Sequence, residues 1–440
     1  MKVSLNLKRC ALVAGVLLFA GLLTWAYIDV IAPVYAYRSF ILLERSPQYY
    51  LFAALLVAVP ALWMPVELHR ASETALWFVY LMVFIPSIVV PVFATKVSEP
   101  SLFVLHATIL AGFLILSLVP RVSLLRLPEV RLGRVGFLFA VGTLTAILYA
   151  AVIQSYGFNI NIVSFAEVYD VRAQYKAVSA SILAAYGIPW LGNVIHPLLI
   201  AIGLRWKRVS LIVFGVFGQV VIFSITGFKS IALSGVLIVG LLIASRKNGR
   251  EFGLWMAWGA AAVVGLGVAV GKALNLPLLT HMATSRLFVT PGLLSGHYYD
   301  FFSTHPKVQM SDGVLSSFAS YPYALEPDQV IGSNYFGDAD VHANANIWAD
   351  AFANFGVGGI LVFSLALAGV LWVYDSIVRV KDRRTAVMLL GIPCITLSNT
   401  ALETSLLTHG IGLVILLMFL MPPQSKQTKR EMSISPNHST

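Results

Sequence analysis

Residues 272–354 read KALNLPLLTHMATSRLFVTPGLLSGHYYDFFSTHPKVQMSDGVLSSFASYPYALEPDQVIGSNYFGDADVHANANIWADAFAN. The stretch holds four of the nine histidines, His281, His297, His305 and His342, together with Lys272, Arg286, Lys307 and seven carboxylates. Aromatic residues such as Tyr298, Tyr299, Tyr321, Tyr335 and Trp348 are dense within it. It contains no apolar run long enough to span a bilayer, whereas nearly everything before and after it is apolar enough to sit in lipid. A loop this long in a compact membrane protein is usually a working part. It is expected to cap a bundle of helices and to carry much of the chemistry.

Composition sets the fold class. The chain has 440 residues, of which 58% are hydrophobic and 11% charged. Soluble domains carry about 25% charged residues, so a soluble fold is excluded. A backbone in lipid must satisfy its own hydrogen bonds, and the apolar runs are continuous rather than alternating, which excludes a β-barrel. The reading is an all-α polytopic membrane protein. Windows of roughly 17–25 residues place about twelve spans, near 10–30, 49–65, 75–94, 101–120, 135–154, 179–203, 209–225, 228–245, 252–271, 355–378, 385–401 and 404–422. Gly187, Pro189 and Gly192 interrupt the sixth of these. The first has Lys2, Lys8 and Arg9 before it but is too long for a signal peptide, and reads as an uncleaved span. Cys10 and Cys394 lie in or beside spans, as packed thiols rather than a disulfide framework.

The net charge of +10 is explained by orientation. With the amino terminus inside, every well-charged connector falls on the cytoplasmic side. That leaves outside only Arg38, Arg45, Lys96, Arg172, Lys176, Lys229, Lys272, Arg286 and Lys307. Nucleic acid is not needed as a partner. The division is then an N-terminal membrane bundle of about nine spans (1–271), an extracytoplasmic loop (272–354), C-terminal membrane helices (355–422) and a disordered cytoplasmic tail (423–440). The connector 155–178 also faces outward. The inner side has short turns and no nucleotide-binding motif, so chemistry outside must use substrates that arrive already activated.

Outward cations run against the topological rule, and each asks for a reason. Arg172 and Lys176 are four apart and share a face if their connector is helical. Lys229 sits in the turn SITGFKS, and Arg286 opens SRLFVTPGLLSGHYYDFF. Three outward elements thus present cations near the height of lipid phosphates, which arginine can hold bidentately and lysine as a point charge; ordinary snorkelling is the bland alternative. In VHANANIWADAFANFGVGGI, His342, Asn346, Asp350 and Asn354 recur every four residues. A continuous helix would place them on one face, where a histidine could take a proton from a hydroxyl and Asp350 could orient it or replace it. The bland alternative is a capped helix start with a solvated first turn. Gly356, Gly358 and Gly359 then allow close helix contact or a kink. His297 and Asp300 form a weaker pair beside Tyr298, in surroundings that could equally be an interfacial aromatic belt. His106 and His196 read as packing residues and Glu403 as a further acid. No HxH, HExxH or paired DxD occurs, so no metal or other cofactor is expected.

The pattern resembles the bacterial O-antigen and capsule repeat-unit polymerases (Wzy-type), with the O-antigen ligases further off. The resemblance rests on about twelve spans, two outward loops carrying Arg172 and Arg286, and the polar segment HANANIWADAFANFGVGGI before a glycine-rich helix. It implies a metal-independent glycosyltransferase of the GT-C type in the bacterial inner membrane, with both termini cytoplasmic and the catalytic loop periplasmic. The donor would be a growing glycan on undecaprenyl diphosphate, the acceptor a lipid-linked repeat unit, and a chain-length regulator a partner. Carried over, Arg172 and Arg286 would hold the diphosphate and His342 would be the base. The segment lacks the closely spaced second histidine of many ligases. Two alternatives remain at this stage: an O-antigen ligase, and a lipid-linked glycan flippase or other transporter.

Overall fold

The computed structural model describes residues 2–36, 40–130, 132–157, 168–276, 280–313 and 316–423. Arg38, Arg131, residues 158–167 of the connector after Gly157 and the tail after Pro423 lie outside the described residues. Among the described residues every regular element is helical. Each of the twelve apolar windows falls on a helix. Nine of these helices are long and apolar enough to cross a membrane; Pro47–Ala61 and Lys229–Ala244 are apolar but shorter, and Arg383–Thr396 has 14 residues. The chain is a multi-pass membrane protein.

One helix is the hub. In Ser72–Ala94, 94% of the apolar window is buried inside the protein, against 33% for Arg134–Tyr156 and Phe252–Ala273. The peripheral helices therefore present Val135, Phe139, Val236 and Leu266 outward. On a soluble protein so much exposed apolar surface would drive association; on a membrane helix it faces lipid chains. Two of the polar residues inside the bundle are partnered histidines, with Tyr49 Oη 3.1 Å from His106 Nδ1 and Tyr149 Oη 3.1 Å from His196 Nε2.

Proline leaves a regular mark on these helices. Four segments widen into π-turns, at Tyr27–Ile31, Tyr80–Phe84, Leu191–Ile195 and His281–Val289. Each ends two residues before a proline, namely Pro33, Pro86, Pro197 and Pro291. A proline ring clashes with the carbonyl four residues back and donates no hydrogen bond to it. Widening the preceding turn moves that carbonyl aside without ending the helix. The sixth span, expected to be interrupted at Gly187, Pro189 and Gly192, is one continuous helix, Ile182–Trp206, widened by the π-turn at Leu191–Ile195.

The stretch 272–354 is more than a cap. Its centre, Thr290–Thr304, is a helix wedged beside Ile85–Ala94 and Ile347–Val378, with Pro291–Tyr299 almost entirely buried. Gly292 and Gly296 make this possible, because a Cβ at either would collide with Pro86 or Thr95. Too short to span lipid, this segment is nevertheless apolar enough on its sides to enter the bundle. Ser87 Oγ and Ser295 Oγ lie 2.7 Å apart, and Asn346 Nδ2 donates to Ser295 Oγ at 2.7 Å and to Pro291 O at 2.8 Å. This short polar ladder fixes where the next helix begins.

Candidate functional site

At the end of the bundle where Lys229–Ala244 and Ile347–Val378 begin lies a cavity of about 700 Å³. Its wall is apolar, with Ile188, Leu233, Leu237, Ile392 and Ile395 contributed by three membrane helices. Its roof is polar and acidic. Asp312, Glu326 and Asp328 come from the segment after Thr304, Asp350 from the start of the long helix, and Asn344 and Asn399 complete it. Tyr298 also lines the cavity and donates its hydroxyl to Ala343 O at 2.9 Å.

Asp350 owes its place to the two ends of one short helical segment. At the front, Asn346 is the N-cap, its side-chain oxygen accepting from Trp348 N at 3.0 Å and Ala349 N at 3.1 Å; such a cap fixes the first helical residue. At the back, Phe355 and Gly356 leave helical geometry, Gly356 at φ 63°. A positive φ of this kind suits glycine, and the kink allowed by the glycines is therefore realised. Asn354 braces the segment, donating to Asp350 O at 3.1 Å and Oδ1 at 3.3 Å and accepting from Met310 N at 2.6 Å. The second carboxyl oxygen, Oδ2, is buried and makes no hydrogen bond to any described residue. Asp312 and Glu403 face it as like charges.

The four-residue polar stripe does not form a single helical face. The helix starts at Ile347, so His342 lies before it in an extended segment. The Asn346 cap sets that boundary. His342 Nδ1 instead stands 2.7 Å from Oδ2 of Asp328, which lines the cavity while His342 itself does not. Glu326 joins them, and one donor atom from each of Glu326, Asp328 and His342 lies within 4.8 Å of the others. Among the described residues these three form a group able to hold a cation. Their spacing of 2 and 14 matches no short metal motif, and the grouping arises from a helix start: Glu326 and Gln329 form a capping box ahead of Pro327–Phe336, and Ala343 N bonds back to Asp328 O at 3.2 Å. Partial burial, then the Asp328 charge, lift the Asp312 carboxyl above the ordinary aspartate range.

The expected cations are distributed differently from one another. Arg172, on the helix Val168–Ala177, donates Nε to Gly227 O at 3.2 Å and lies 5.6 Å from the Phe228 ring. Lys229 is buried, with Nζ 3.8 Å from Met282 Sδ. Arg286 is exposed and makes no hydrogen bond or ion pair to any described residue. None of the three side chains lines the cavity, although Phe228, Ser230 and Leu287, their neighbours in sequence, do. Lys176 sits on the Arg172 helix, and its side chain lies outside the described residues.

The remaining candidates are engaged in packing. The His297 ring stacks on Tyr335 at 4.2 Å, and Tyr335 donates to Asp300 Oδ2 at 2.7 Å. His297 and Asp300 thus both serve to dock the Pro327–Phe336 helix rather than to contact each other. His305 stacks on Phe301 at 4.0 Å, and His281 packs 5.1 Å from Tyr35. Sequence reasoning passed over Asp312, Glu326, Asp328, Asn344 and Asn399. The one legible signal was EPDQ, a helix start that places Asp328 in a first turn.

The site therefore joins an apolar wall to a carboxylate roof, with cations held just beyond its edge. No family model, curated protein or solved structure matches the chain.

Proposed function

We propose that this chain is a GT-C-like glycosyltransferase with about twelve membrane crossings that polymerises lipid-linked repeat units on the extracytoplasmic face of the bacterial inner membrane. The observation that carries this reading is the two-sided cavity: apolar walls from membrane helices meet a roof of carboxylates and amides. A lipid-linked sugar has the same division, with chain in lipid and hydroxyls in water.

In the reaction, an acceptor sugar hydroxyl attacks the anomeric carbon of the growing glycan on undecaprenyl diphosphate. The new glycosidic C–O bond forms as the bond to the diphosphate breaks, and the lipid diphosphate leaves with the electron pair. The hydroxyl proton passes to a base. Asp350 is the better placed base, since it lines the cavity and its Oδ2 has no hydrogen-bond partner among the described residues; His342, paired with the lining residue Asp328, orients the acceptor. Arg286, with an uncommitted guanidinium, takes the leaving diphosphate. Arg172 and Lys229 support it from the turn at Gly227, and Tyr298 and Asn346 keep the roof in place. Because the donor is already activated, positioning and charge stabilisation suffice. A chain-length regulator is the expected protein partner.

A second reading, a lipid-linked glycan flippase, is favoured by one observation: Ile188, Pro189 and Asn193 of the π-widened sixth span line the cavity, and transporters often place substrates at broken helices. Deleting the chain in its host and resolving surface glycan on gels separates the readings. Acceptor core bearing a single repeat unit supports the polymerase. Core without repeats, with long lipid-linked glycan accumulating, supports an O-antigen ligase. Absence of any repeat on the outer leaflet supports the flippase.

A further inference from the structure

The opposite ends of the same helices form a second concavity, of about 290 Å³, where Arg70, Arg205, Arg379, Lys381, Arg383 and Arg384 gather. Among the described residues two carboxylates, Asp375 and Asp382, line it, with Glu73 and Glu129 nearby but outside the lining. Both lining carboxylates are already occupied. Asp375 accepts from Ser72 N at 2.9 Å and Ser72 Oγ at 2.5 Å. Asp382 accepts from Arg205 Nε at 2.6 Å, from Arg205 Nη2 at 3.2 Å and from Thr385 Oγ1 at 2.8 Å.

Three of the cations are held in place by neutral carbonyls, with Glu73 acting on Arg383, Asp375 on Arg70 and Glu129 on Lys381 from outside hydrogen-bond reach. Arg70 donates to Val119 O at 3.2 Å and Val122 O at 2.7 Å; Arg383 donates to His69 O at 3.0 Å and Asn248 O at 3.3 Å. Lys381 is buried and donates to Phe419 O and Met421 O. Arg384, half-buried, and Arg379, exposed, make no hydrogen bond or ion pair to any described residue. Arg205 and Arg383 face Arg384 as like charges, and Asp382, already paired with Arg205, as an opposite one.

Membrane orientation explains the sign of this charge but not its shape. A topological cation needs only to lie near a span's end in water, where crowding brings no gain. Here connectors from distant parts of the chain converge their guanidiniums on one hollow, at the cost of mutual repulsion. Guanidinium N–H groups match phosphate oxygens in pairs. We infer that this hollow binds a phosphate-bearing anion, with Arg384 and Arg379 as its direct ligands. The phosphate can belong to an anionic phospholipid headgroup or to a soluble phosphate compound, and the site's chemistry is the same for both.

The test uses the full-length protein in neutral detergent. Native mass spectrometry compares retention of phosphatidylglycerol with phosphatidylcholine, and a thermal-shift titration uses sodium pyrophosphate. Both are run on wild type, Arg384→Gln and Arg379→Gln. Selective phosphatidylglycerol retention that either substitution weakens by roughly tenfold supports the site and assigns it to lipid. Saturable pyrophosphate binding weakened to the same extent supports it with a soluble ligand. Absence of saturable binding by both probes, or binding equal in wild type and variants, overturns the inference. Should Arg384→Gln fail to give a monodisperse protein, the exposed Arg379→Gln decides alone.

Discussion

The two hollows sit at opposite ends of the Ile347–Val378 helix and share the bundle that separates them, yet they are built on opposite plans. At one end four carboxylates line an apolar-walled cavity, and Arg172, Lys229 and Arg286 are held outside it. At the other, six cations crowd a smaller hollow whose two carboxylates are already satisfied. The lesson is that the apolar length of a membrane helix carries little specificity. The few polar residues at its ends carry it, and each end leaves a different group without a hydrogen-bond partner among the described residues: a carboxyl oxygen on Asp350, and guanidiniums on Arg384 and Arg379. The first suits a proton acceptor, the second an anion ligand.

The sharpest way to break this comparison is Asp350→Asn, which keeps shape and removes basicity. Chain extension by the purified protein should fall by about 10²- to 10⁴-fold, the usual worth of a positioned general base, while anion retention at the other end stays unchanged. Equal activity would leave the acidic end without its base. Next comes Arg286→Ala, expected to slow extension by about a hundredfold, in the range of losing one charge-stabilising donor. Arg172→Ala should cost less, since that guanidinium already holds the turn at Gly227. A single-turnover assay of both variants ranks them, and the reverse order would move the diphosphate toward Phe228. Asp375→Ala tests the basic end as structure. It strands the buried Ser72 donors, so thermal unfolding in detergent should show about 1–3 kcal/mol of lost stability, with the acidic end's activity following only the folded fraction.

The smallest effect concerns pH. The Asp312 carboxyl is raised by partial burial and Asp328, so the native state binds its proton more tightly than the unfolded chain does. Stability from this group is therefore complete below the ordinary aspartate value and falls as pH rises to the elevated native one. Asp312→Asn should flatten that limb of a stability–pH curve. A curve identical to wild type would remove Asp312 from the acidic cluster.

Much of the fold was legible because lipid imposes a simple rule: a long apolar run must be helical, and each apolar window is. The irregularity in the sixth span was legible in part: Gly187, Pro189 and Gly192 marked the region, but the helix stays continuous and its π-turn precedes Pro197. The burial of Thr290–Thr304 was not, since it depends on Gly292 and Gly296 meeting Pro86 and Thr95, some 200 residues away in sequence. The site was legible in part. Asp350 was recognisable as a carboxylate at a helix mouth, but regular spacing suggested that His342 shared its helix, whereas the Asn346 cap starts that helix at Ile347, beyond His342.

Taken alone, the sequence determined that this chain crosses a membrane many times and where its helices run, because transfer of apolar side chains into lipid and proline geometry are local properties. Which charges meet was decided only by the tertiary structure. Glu326, Asp328 and His342, or Arg70, Arg205 and Arg384, are brought together by helix ends and connectors distant in sequence. Electrostatic interaction depends on distance through space, and no spacing along the chain encodes it.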